Sequence, residues 1–110
     1  MPPRRLFADA AHYGAMLSFL DGVDRLRSAF QAESQEQQGW YASWAVRSFD
    51  NVYRCLARSN AGRSEGRGSR PEFHPDSIAR ESWALRQQSL ALVTSEHMPT
   101  TQRFMAVLIA

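Results

Sequence analysis

Between residues 8 and 31 the apolar positions recur at alternating steps of four and three: His12, Met16, Phe19, Val23, Leu26 and Phe30. That spacing lays them on one narrow stripe of a helix, as in the seam of a bundle or coiled coil. Asp21, Asp24, Arg25 and Ser28 fall on the far side. Gly22 sits inside the run and weakens a helix by up to about 1 kcal/mol relative to alanine, so the helix can break there.

The apolar period lapses after Phe30. Ser34 followed by Gln37 reads as a capping box that opens a second helix, with Gly39 in or just before its first full turn. This helix is expected to run to about residue 59, where Asn60 and Gly62 supply stop signals. Residues 60–75 hold Gly62, Gly66, Gly68 and Pro71 and predict one long loop rich in glycine and arginine, either functional or simply mobile. Asp76 or Ser77 then caps a third helix that continues to about residue 96. Ile78, Leu85 and Leu92 form one apolar row on it, and Ala79, Trp83 and Leu90 form another, which suggests contact from two sides. Thr100 opens a short final helix over 101–110. A strand is the alternative for so apolar and β-branched an ending, but no partner strand is legible elsewhere. The prediction is an all-α chain, a small bundle of three to four helices forming a single domain over residues 1–110.

Projecting residues 40–58 at about 100° per residue separates two faces. Tyr41, Ala45, Phe49, Val52, Tyr53 and Leu56 gather on one side as a core face. Arg47, Asn51, Arg54 and Arg58 gather on the other, and Trp40 and Trp44 fall with them. Tryptophan and arginine are the residue types most enriched at binding hot spots, so these six positions are the candidate partner-binding face. Three structural readings stand beside the functional one. The first turn is frayed or shifted near Gly39, the tryptophans cover a neighbouring helix at the bundle edge, or arginines stack on them locally.

Composition changes the picture in one respect. All thirteen basic residues are arginine and none is lysine, as a GC-rich bacterial or phage genome would encode. Each cation is therefore a planar fork that can stack on aromatic rings or grip a carboxylate or phosphate in a bidentate way. The net charge of +2 is too small for whole-molecule electrostatics to choose a partner. Cys55 is the single cysteine, so no disulfide can form within the chain and a reducing, cytoplasmic setting is expected. The N-terminal stretch has two arginines before an apolar run, but Asp9 and His12 interrupt it, so it reads as neither a signal peptide nor a membrane span.

Catalytic and metal chemistry finds no support in spacing. His12 lies on the apolar stripe as a half-buried core histidine, His74 and Asp76 frame Pro75 at a helix start, and His97 ends a helix. None has the convergent partners a metal requires. Cys55 has no evident base beside it. The glycines around Arg63 and Arg67 lack the lysine and preceding strand of a phosphate-cradling loop. No cofactor and no enzyme activity are expected.

The reading that remains is a small non-catalytic protein-binding module, an adaptor, regulator or inhibitor of a larger protein. The alternative is nucleic-acid binding, with Arg47, Arg54 and Arg58 continued by Arg63, Arg67 and Arg70 as a phosphate-facing strip. Asp50, Glu65 and Glu72 interrupt that strip. The stripe on the first helix also offers a surface for self-association and favours a homodimer over a monomer.

Overall fold

The computed structural model describes residues 6–60 and 73–93. Within them the chain forms three helices and no strand: α1 (Ala10–Gln31), α2 (Gln35–Arg58) and α3 (Pro75–Val93). The sequence-predicted loop beyond Asn60, the final helix over 101–110, and Arg63, Arg67 and Arg70 lie outside the described residues.

α1 begins where Asp9 accepts the His12 N–H at 2.8 Å, a side-chain cap for one of the orphan donors of the first turn. The helix runs unbroken through Gly22, the weak point of the run, and a packing requirement accounts for the glycine. A Cβ at Gly22 would stand 2.5 Å from Cε1 of Phe49, so only glycine lets α1 close over that ring. The predicted stripe is buried at His12, Met16 and Leu26 and half-buried at Phe19 and Val23. Phe30 departs from it and is 61 % exposed, whereas Ala29 is fully buried against Ala42, Leu90 and Val93.

α2 starts as the sequence predicts, with Ser34 accepting the Gln37 N–H at 3.1 Å. It ends at Arg58 with Ser59 in extended backbone, so the last turn closes without a left-handed cap residue there. The core face is confirmed: Ala45, Phe49 and Val52 are fully buried, and Tyr41, Tyr53 and Leu56 are half-buried. Ala15 and Ala29 of α1 and Ala42 and Ala45 of α2 have no exposed surface. These small residues let the two antiparallel helices approach closely enough for short side chains to bond across the seam.

α3 corrects the sequence reading in two ways. It starts at Pro75 rather than after Asp76 or Ser77, with the Ile78 N–H bonded to the His74 carbonyl and the Asp76 N–H to His74 Nδ1. Proline suits the first helical position because its missing N–H would have no intrahelical partner there. The first predicted apolar row packs, with Ile78 buried and Leu85 and Leu92 half-buried, but the second holds only in part, through buried Leu90. Trp83 of that row is 52 % exposed, and the buried stripe runs through Ile78, Ser82, Arg86, Ser89, Leu90 and Val93. Its polar middle meets α2, where Arg86 Nε donates to Asp50 at 2.6 Å and the Tyr53 hydroxyl donates to the Ala79 carbonyl at 3.1 Å.

One end of the bundle is tied by polar side chains. His12 is fully buried, further inside than the half-buried position expected of it. Its Nδ1 accepts the Ala8 N–H at 3.0 Å, which leaves Nε2 to carry the proton and donate to the Phe73 carbonyl at 2.6 Å. Asp9 also accepts from the Ser59 hydroxyl and the Asn60 N–H, at 2.9 and 2.7 Å, joining the start of α1 to the end of α2.

Candidate functional site: a groove between the first two helices

α3 packs mainly on α2, on the core side of the α1/α2 hairpin, where Phe49, Val52 and Tyr53 lie. The opposite side carries an open groove of about 700 Å³. From α2 it is lined by Trp40, Ser43, Trp44, Arg47, Ser48, Asn51 and Arg54, and from α1 by Leu17, Ser18 and Asp21. Five of the six residues that helical projection assigns to a partner-binding face therefore share one cleft. Arg58 does not line it; its guanidinium turns back to within 3.6 Å of Cys55 Sγ.

The tryptophans answer the question raised by their position in sequence. α2 is regular through Gly39, so fraying does not explain them. Trp40 is 58 % exposed and Trp44 37 %, and their rings meet edge to face with centroids 5.2 Å apart. Arginine stacking is present, but the arginine comes from α1: the Arg25 guanidinium lies 3.6 Å from the centre of Trp44. Trp44 is thus braced from one side and open to the groove on the other. Such a contact contributes about 0.5–1 kcal/mol at a partly exposed position.

The rest of the floor is held by bonds across the seam. The Ser48 hydroxyl donates to Asp21, which also meets Arg25 at 3.6 Å. Asn51 Nδ2 donates to the Ser18 hydroxyl at 2.7 Å. Asp21 and Arg25, which the sequence pattern assigned to the solvent face of α1, instead shape the groove. Only knowledge of how α1 pairs with α2 would have revealed this.

The charges left over decide the chemistry. Among the described residues Asp21 is the only acid lining the groove, and its carboxylate is engaged by Ser48 and Arg25. Asp50, which interrupts the arginine strip in sequence, is turned to Arg86 on the far side of α2. Arg47 and Arg54 are exposed and have no ion-pair partner among the described residues. The groove is therefore apolar and aromatic at the Trp40–Trp44 end and cationic at the Arg47–Arg54 end.

Other candidate chemistry stays apart. Cys55 is buried, with Asn51 Nδ2 and Arg58 Nη2 donating to its sulfur at 3.7 and 3.6 Å. Among the described residues no group of histidine, cysteine and carboxylate side chains could hold a metal ion, and no helix is long and apolar enough to cross a membrane. In class, the described residues form a small all-α bundle with an open groove between its first two helices. No protein family, curated protein or solved structure matches it.

Proposed function

We propose that this chain is a small protein-binding module, an adaptor, regulator or inhibitor, that docks a larger protein in the α1/α2 groove. The observation that carries the reading is the juxtaposition on one helix of an exposed Trp40–Trp44 pair with Arg47 and Arg54, which lack carboxylate partners among the described residues. A half-exposed aromatic pair on a rigid element loses little conformational entropy when covered, and its burial supplies most of the free energy of a compact interface. The arginines then fix register through bidentate bonds. Ser48, Asn51 and Arg25 hold the floor in shape before any partner arrives, which reduces the ordering cost of binding.

The test is quantitative capture from an extract of the native host. The bait is the full chain beside a Trp44→Ala, Arg47→Ala variant, with bound proteins identified and their affinities measured. A protein retained by the wild type and lost by the variant, with modest salt dependence, supports the reading. Retention of nucleic acid alone, falling steeply as salt rises, transfers the face to the nucleic-acid alternative. Equal retention by both baits removes the groove from any role.

A further inference from the structure

Trp40, Arg47 and Arg54 stand seven residues apart along α2, and all three line the groove. Seven residues is almost two helical turns, so the three positions share one stripe and are spaced by about 10.5 Å. Leu17, 48 % exposed on α1, faces the same cleft. A cleft between two antiparallel helices is the usual seat of a further helix in a bundle. Here α3 occupies the core side of the hairpin and leaves this side open.

We propose that the groove is completed by an acidic amphipathic helix of the partner protein. This rests on the protein-binding reading above and specifies its ligand. The docked helix sets aliphatic or aromatic side chains against Trp40, Trp44 and Leu17. It presents two carboxylates about seven residues apart, one to Arg47 and one to Arg54. Its apolar stripe and its acids follow the same heptad spacing as the stripe on α2, which a strand or an irregular loop would not match over two intervals.

Charge decides which occupant fits. The chain's own residues 94–110 contain a single acid, Glu96, together with Arg103, so they cannot supply the pair. Glu65 and Glu72, though seven positions apart, are separated by Gly66, Gly68 and Pro71, a sequence unsuited to a helix. None of the three helices carries two carboxylates seven positions apart, so a second copy offers no matching helix either. The complementary helix belongs to a different protein.

The experiment is selection of a displayed library of helix-forming peptides, about five turns long, on the full chain. Enriched peptides are re-measured against Trp44→Ala and against an Arg47→Glu, Arg54→Glu variant whose fold is checked by circular dichroism. The expected result is peptides with two acids about seven residues apart, whose affinity falls at least about tenfold on the charge-reversed variant and on changing the acids to lysine. Peptides that need Trp44 but carry no such pair, and bind the charge-reversed variant equally, overturn the acidic helix while leaving the protein-binding reading in place. If no enriched peptide depends on Trp44, both fall. Tighter binding of a short single-stranded oligonucleotide than of any selected peptide assigns the face to nucleic acid and overturns the proposal.

Discussion

Gly22 lies directly over the ring of Phe49, so closely that a Cβ added to it would come within 2.5–2.8 Å of three ring carbons. Phe49 is fully buried and packs in one cluster with Leu26 and Ala45, so its ring has nowhere to move. Two effects of a Gly22→Ala change therefore oppose each other. Alanine favours the helix by up to about 1 kcal/mol, whereas overpacking a filled core costs about 1–3 kcal/mol, and more when the intruding atom meets an immobile ring. The close contact wins. Gly22→Ala is expected to lower stability by about 2 kcal/mol in urea unfolding, and a variant more stable than wild type would show that the helices separate without penalty.

Asp9 makes the bundle sensitive to acid. Burial alone would raise its pKa, but hydrogen bonds from the Asn60 and His12 amides and the Ser59 hydroxyl outweigh that effect and hold it below the ordinary carboxylate value of 3.8. A carboxyl whose folded pKa is depressed contributes stability that is present above the unfolded pKa and is lost as pH falls through the folded one. Asp9→Ala is expected to cost about 1–2 kcal/mol at neutral pH, in line with the loss of a helix cap and its partners. The gap between wild type and variant should narrow as pH drops below about 4. A gap that stays constant from neutral pH to pH 3 would mean that the carboxylate charge contributes nothing.

The Arg86–Asp50 pair is a different kind of contact. Arg86 is 4 % exposed, and its Nη1, like Ser82 Oγ, has no hydrogen-bond partner among the described residues. Removing Asp50 leaves a buried cation with no carboxylate, a loss of about 3 kcal/mol or more, moderated here because Asp50 is itself partly exposed. Arg86→Met removes the charge and keeps the volume, so it should cost much less. Chemical denaturation of Asp50→Ala, Arg86→Met and the double variant checks this. Equal losses from the two single changes would show that packing, not charge, sets the cost.

These residues also show where the sequence was readable. The α1 stripe and the core face of α2 emerge from period alone, because large apolar side chains mark the buried direction over several turns. Phe30 breaks that logic: the seam passes through Ala29 at that end, and a small residue gives a weak periodic signal. α3 was legible only in part, for a stronger reason. Apolar period finds Ile78, Leu85, Leu90 and Leu92, but the stripe is serine and arginine at the centre, so the same count passes over Ser82, Arg86 and Ser89 and selects the exposed Trp83. The role of Gly22 was not legible because helix propensity is local, and the reason for glycine lies across the hairpin. For the groove, projection of α2 alone separates Trp40, Trp44, Arg47, Asn51 and Arg54 from the core. The contribution of Leu17, Ser18, Asp21 and Arg25 depends on the register between the helices, which no single segment encodes.

Trp44 and Phe49 provide the decisive comparison, because they lie five residues apart on one helix and serve opposite sides of it. Phe49 has no exposed surface, and its truncation to alanine should remove about 3–5 kcal/mol of stability through lost burial and a cavity. Trp44 loses less: the Arg25 stacking of about 0.5–1 kcal/mol and the edge contact with Trp40, about 0.5–1.5 kcal/mol. In denaturant melts run side by side, Trp44→Ala should therefore remain well folded while Phe49→Ala approaches global instability. Binding reverses the order of interest. If Trp44 anchors a partner, its truncation costs at least about 2 kcal/mol of affinity, roughly thirtyfold in Kd, in a protein whose fold is intact. Should both variants prove equally unstable, Trp44 belongs to the core, and the groove loses the side chain on which its docking chemistry depends.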